Sequence, residues 1–202
     1  MKGTATRTSA VVLALLLTKF SGLPTAQEKL EEIVRRTGGN VSFLINRQIT
    51  PADVPDLVAQ ADLIVRVLVI EGRSRLTSDE QKIETNYTVQ ILEVYLERQP
   101  ISSGQKIVVT KPGGTISLLG HSVTMLETDF PEFESSEEYV LFLDQDRVRQ
   151  INRVVYGSQG AFRLEGGHAD QVSRTTGKIK QERGKLPLAA FRQEIREAGA
   201  KR

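Results

Sequence analysis

The chain has no cysteine and no tryptophan among its 202 residues. Without cysteine there is no disulfide framework, no thiol nucleophile and no thiolate metal site, so stability rests on burial alone. Aromatic residues are few: seven Phe and four Tyr. This weakens any reading as a stacking platform for single-stranded nucleic acid or as a polysaccharide binder. The two histidines, His121 and His168, are far apart and form no HxH or HExxH spacing. GxSxG, a phosphate-binding loop and a dinucleotide fingerprint are all missing. So is any apolar run near the roughly 20 residues that span a bilayer.

The first 26 residues differ in character from the rest. Lys2 and Arg7 form a basic start, residues 10–17 (AVVLALLL) are apolar, and a looser stretch follows to Ala26. This is the three-part layout of a secretory signal peptide, so residues 1–26 are expected to direct export, to the periplasm or beyond. Cleavage is expected after Ala26, although Pro24 is a poor residue at its position and Lys19 is unusual. No second hydrophobic segment predicts stable membrane insertion once the leader is gone.

Removing the leader changes the electrostatics. Taking Lys2, Arg7 and Lys19 from the 27 Lys and Arg leaves 24 against 25 Asp and Glu. The pI near 8.9 therefore belongs mostly to the leader and is no sign of nucleic-acid binding. The remaining charge is uneven. Residues 174–202 hold nine basic and three acidic side chains, whereas 27–173 hold 15 and 22. An acidic body carries a basic tail, which either rests on that body, the reading favoured here, or seeks an anionic partner.

Period and punctuation divide the chain into a helical lead-in (27–60), a β domain (61–173), a basic flexible linker (174–185) and a C-terminal helix (186–199). Leu30, Ile33 and Val34 have helical spacing and stop at Gly38-Gly39. Residues 41–45 read as a short strand. A second short helix opens at Thr50 or at Asp53, each with an acid three positions on. Strands are expected over 62–70, 86–95, 106–110, 121–126, 139–143, 150–156 and 161–164. The alternation in 86–95 changes phase near Leu92, which predicts a bulge. Residues 71–85 and 113–120 are expected as a long loop and a turn. Phe130 and Phe133 read as anchors in an acidic loop over 129–138. The run 139–143 (YVLFL) is apolar without a break, and 63–70 is apolar apart from Arg66, which predicts strands buried on both faces. Short strands between turns, with helices at the ends, predict a mainly β fold, a small closed or partly open antiparallel β-barrel. In the last helix Leu188, Phe191 and Ile195 share a face that docks on the barrel or, alternatively, in a partner's groove.

The stretches ADLIVRVLVIEG, YTVQILEVYL, KIVVTKPGG, PEFESSEEYVLFL and VVYGSQGAFRL, over roughly residues 60–165, resemble a family of exported bacterial small β-barrel proteins with no established activity. The positions that carry the resemblance are Gly113, Gly114, Phe133, Glu138, Tyr139, Gln159, Gly160 and Phe162. The same strand plan is similar to the OB-like barrel of netrin-like modules and of tissue inhibitors of metalloproteinases. Those inhibitors chelate metal through an N-terminal cysteine, which this chain lacks, so only an OB-like architecture is implied.

The expected function is a non-enzymatic module that binds a protein or peptide partner, not nucleic acid. Residues 71–85 and 113–120 are its expected contact surface, since loops at one end of a barrel commonly bind. No catalytic residue, cofactor ligand or metal ligand is assigned. The alternative is a hydrolase or lyase using the acidic loop 129–138, with Glu137 and Glu138 flanking a cleft. Asp129, Glu132, Glu134, Glu137 and Glu138 match no calcium-loop spacing.

Overall fold

The computed structural model describes residues 11–12, 28–46, 50–98, 100–146, 151–172 and 184–201. The expected cleavage site and most of the leader and linker lie outside the described residues. Helix α1 (Leu30–Thr37) has Glu31 and Glu32 in its first turn and Arg35 and Arg36 in its last, matching the helix dipole, and ends on Gly38 at φ 64°. Of the two candidate openings for α2 (Val54–Gln60), the structure uses Asp53. Its side chain accepts from the Asp56 N–H while Asp56 accepts from the Asp53 N–H, a reciprocal capping box. Helix α3 (Leu188–Ala200) continues through Gly199, one residue past its expected stop.

The strands are β1 (Val11–Val12), β2 (Val41–Ile45), β3 (Leu63–Leu76), β4 (Ile83–Glu97), β5 (Lys106–Pro112), β6 (Gly114–Leu118), β7 (His121–Glu127), β8 (Glu138–Asp146), β9 (Ile151–Val154), β10 (Ala161–Glu165), β11 (His168–Gln171) and β12 (Leu186–Pro187). They form two sheets. The larger has the order β12-β11-β10-β8-β3-β4-β5-β9, and β9 also pairs with β8. Strands β8, β3, β4, β5 and β9 thus bond in a ring. One edge of β8 is divided, with 139–141 on β10 and 143–146 on β9, so the ring closes along only part of that strand. The smaller sheet has the order β1-β2-β7-β6.

The mainly β expectation holds, with two corrections. The pairing is not wholly antiparallel: β5–β9, β2–β7 and β1–β2 are parallel. Strands β1, β6, β11 and β12 lie outside the expected strands, β1 within the expected leader. The sequence of β11, His-Ala-Asp-Gln, has no strand propensity of its own and is held by its neighbours β10 and β12.

The unbroken run in β8 is explained by two cores sharing one strand. Tyr139, Leu141 and Leu143 point into the ring with Val65, Val67, Val89 and Ile91. Val140 and Phe142 point outward, under α2 and α3, with Leu57, Phe162, Phe191 and Ile195. The C-terminal helix therefore docks on the body, with Phe191 and Ile195 fully buried. Run 63–70 follows this pattern only in part. Ile64 is buried outward, but Ile70 is 37% exposed, because the helices cover only one end of β3. A third core lies under the small sheet, where α1 meets Val41, Phe43, Ile83 and Val123.

The largest correction concerns 71–85. This stretch is not a loop. Strands β3 and β4 continue through it as a two-stranded arm, paired out to Leu76 and Ile83, and only 77–82 turns. Alternating burial of Ile83, Thr85 and Tyr87 shows why a polar stretch stays extended: one face of the arm lies against the small sheet. The arm's tip is tied to α1 by the Leu30 N–H on the Glu80 carbonyl (3.0 Å) and by Lys29 with Glu80 (2.7 Å). The bulge expected near Leu92 is present. Arg66 pairs with Glu93 and Val67 with Ile91, which leaves Leu92 as the extra residue.

Candidate functional site

The arm's tip overhangs one end of the ring and leaves a cleft of about 880 Å³. Its walls are Arg75, Leu76, Thr77, Ser78 and Asp79 from the end of β3 and the turn, and Lys82, Ile83 and Glu84 from the start of β4. Opposite lie Thr110 and Pro112 of β5, Glu127 at the end of β7 and Phe130 after it, and Ile151, Arg153, Val154 and Gly157 from β9 onward. A smaller cleft of about 380 Å³ includes Asp62, Arg98, Gln145 and Asn152. There Arg98 pairs with Asp62 at 2.9 Å.

The large cleft mixes charge with an apolar floor. Glu84 is paired with Arg75 at 2.7 Å. Asp79 accepts from the Thr77 hydroxyl and the Gln81 N–H, and these bonds hold its carboxyl below the ordinary range. Phe130 is buried beneath, with the Lys111 ammonium 5.0 Å from its ring centre. Glu127 and Lys111 are themselves only 6% and 3% exposed. Sequence reading passed over these two. The available signal was phase: Glu127 occupies the inward position after Val123 and Met125, and Lys111 lies two residues past inward Val109.

Of the two expected contact segments, the structure brings one to this cleft. Residues 75–79 and 82–84 line it. Residues 113–120 do not, and they form no simple turn. They open strand β6, where Gly113 and Gly114 let the small sheet cross the arm. The Thr85 hydroxyl donates to the Gly113 carbonyl at 2.7 Å, and the Gly113 N–H donates to the Ile83 carbonyl at 2.8 Å. A Cβ on Gly114 would lie 2.3 Å from both the Ser74 and the Thr85 hydroxyl oxygens.

The acidic segment is dispersed. Glu138 accepts from the Arg66 Nε at 2.7 Å, Glu134 and Glu137 both meet Arg163, and Asp129 accepts from the Ser158 hydroxyl at 2.8 Å. The carboxylate of Glu137 raises the Arg163 pKa further. Glu137 and Glu138 serve different arginines and line neither cleft. Among the described residues no three His, Asp or Glu side chains gather as a metal site. Phe130 and Phe133 are the anchors expected of this segment. Phe133 packs on Tyr87, Phe130 and Tyr139 at centroid distances of 5.0, 5.6 and 4.9 Å. Burial raises the phenol pKa of both tyrosines.

The positions that carry the family resemblance serve packing and bracing. Gln159, fully buried, accepts from the Ala52 N–H and donates to the Thr50 carbonyl, fastening the approach to α2. A Cβ on Gly160 would lie 2.3 Å from the Val155 carbonyl oxygen. Phe162 is fully buried beneath α3. The Tyr139 hydroxyl accepts from the Glu134 N–H. No protein-family model matches the chain, and a search of curated proteins finds no match.

Proposed function

We propose that the chain is an exported, non-enzymatic module of OB-like type that binds a protein or peptide partner in the large cleft. One observation carries this reading. An OB-type barrel is five-stranded and partly open, and it takes ligands against its second and third strands and the loops joining strands one to two and four to five. If β3, β4, β5, β8 and β9 are counted as those five, the second and third strands are β4 and β5. The first joining loop is then the 77–82 turn, and the second precedes Ile151. The large cleft is lined from the first loop and from β4 and β5 by Thr77 to Asp79, Lys82, Glu84, Thr110 and Pro112, and from the fifth strand by Ile151 and Arg153. The parallel pairing of β5 with β9 and the return of β9 to β8 fit the same plan.

Export is supported by the leader pattern. Among the described residues no helix is long and apolar enough to cross a membrane. The hydrolase or lyase alternative needs Glu137 and Glu138 together at a cleft, and nothing in their pairing favours it.

The test is affinity capture. The immobilised chain is exposed to envelope and culture-supernatant extracts of its source, beside a variant whose 77–82 turn is replaced by Asn-Gly. A protein retained by the first and lost from the second is the expected result. Equal retention by both, or none by either, refutes the cleft as a binding site.

A further inference from the structure

The small sheet has an edge that its sequence leaves unguarded. Natural edge strands are commonly blunted by charge, proline or a bulge. The large sheet ends in this way, on β12 with its Pro187. Strand β6 starts against the arm at Gly114. Strand β2, Val-Ser-Phe-Leu-Ile, has no charge and no proline, and it pairs with β7 in unbroken register from Val41 to Ile45. Its outer edge is taken by β1, which runs parallel to it with Val11 opposite Val41 and Val12 opposite Ser42. Among the described residues no strand lies against that edge beyond Ser42. The face beside the edge is bare as well. Ser42 and Leu44 alternate outward, next to Ser122, Thr124 and Leu126 of β7, and none of the five is charged. Leu44 and Leu126 lie opposite each other, and each is 44% exposed.

We infer that the edge of β2 is a second binding site, which takes an extended apolar segment of a partner protein as an added parallel strand. No residue of β2 lines the large cleft, so the two sites are separate. The chain's own β1 shows the mode. It belongs to the apolar run of the expected leader, residues 10–17, so removal of the leader uncovers the edge. The incoming backbone then bonds to the N–H and C=O groups of β2, which supplies affinity whatever the sequence. Its alternate side chains supply the selection. One set extends the row of Leu44 and Leu126, and the other meets the third core at Phe43 and Ile45. A charged side chain beside Leu44 would lose water and find no opposite charge among Ser42, Ser122 and Thr124, so an apolar segment is favoured. Direction argues against a second copy of this chain as the occupant. Two copies joined by a two-fold axis, with their α1 helices on the same side of the sheet, would pair β2 with β2 antiparallel, whereas β1 sits on this edge in parallel. The inference rests on the export reading, through removal of the leader, and is independent of the large cleft.

Fluorescence anisotropy tests this with a labelled peptide of residues 10–17, tailed with lysines for solubility. All three cores are built from Leu30 and later residues, so a chain begun at Gln27 keeps them. That chain is expected to bind the peptide, and the full chain, whose edge β1 occupies, to bind it more weakly. Methylation of every backbone nitrogen in the peptide removes its N–H donors and is expected to abolish binding. Leu44→Lys should weaken binding about tenfold or more by placing a charge beside the added strand, whereas Ile70→Lys, on β3 in the other sheet, leaves it unchanged. Both substituted side chains are exposed, and unchanged melting temperatures confirm that the variants fold. Absence of binding, or binding that survives methylation or Leu44→Lys, overturns the inference. So does self-association of the shortened chain that Leu44→Lys abolishes, since the occupant is then a second copy. Mass spectrometry of the protein from its source separates this inference from the export reading. If residues 1–26 are retained there, both fail. If they are gone and the shortened chain does not bind the peptide, the inference alone fails.

Discussion

Gly114 shows how much one missing side chain can decide. Its φ of 131° disfavours any other residue, and hydroxyl oxygens of Ser74 and Thr85 occupy the space a Cβ would need. Gly114→Ala should therefore cost about 3 kcal/mol from backbone strain and overpacking together, read as a lower urea midpoint. The same substitution at Gly39, with nothing within 4 Å of its Cβ position, should change the midpoint little. Tyr87 sets a limit of another kind. Burial drives its phenol pKa well above the ordinary 10.0. Above that pH the unfolded chain releases a proton that the folded chain retains, so stability present at neutral pH falls as pH rises past 10.0. Urea midpoints measured across alkaline pH should drop, and Tyr87→Phe should flatten part of the drop. A slope unaltered by the substitution would place the ionising group elsewhere.

At the scale of elements, β8 and α3 depend on each other. The outward face of β8 is apolar because α3 covers it, with Phe191 at 4.5 Å from Phe162 and 6.1 Å from Phe142, centroid to centroid. Removing that ring leaves a cavity between helix and sheet. Phe191→Ala should cost about 3–5 kcal/mol, seen as a lowered melting temperature. Arg192 helps to orient the helix, donating to the Tyr95 hydroxyl at 3.1 Å and pairing with Glu93 on β4. Much at this scale was legible in the sequence, for physical reasons. The YVLFL run marked a doubly buried strand, and the phase change at Leu92 marked a bulge, because side-chain alternation records which face is covered. The arm was not legible. Residues 71–85 are polar and hydrogen-bond to each other across the strands, so nothing in them signals extension until the small sheet is placed against one face.

For the molecule as a whole, the three cores share strands. β8 contributes to the first two, and the β3–β4 hairpin reaches all three through Ile64, Val65 and Ile83. One cannot dissolve without exposing a face of the next. Unfolding in urea should be a single transition, with tyrosine fluorescence and far-UV circular dichroism superimposing. Tyr87 and Tyr139 report the ring interior and Tyr95 the outer face beneath α3. Two separated transitions would mean that the small sheet melts alone.

By itself the sequence determined the class of the fold, its helical ends, the apolar centres of its main strands and the exclusion of thiol chemistry. All of these follow from composition and from local periods of two or 3.6 residues. The tertiary structure alone decided the parallel closure of β9 on β5, the crossing at Gly113-Gly114 and the convergence of Lys82 and Arg153 on one cleft. Lys82 and Arg153 are 71 positions apart in the chain. Their meeting depends on the ring's closure and the arm's length, which no local pattern of side chains encodes.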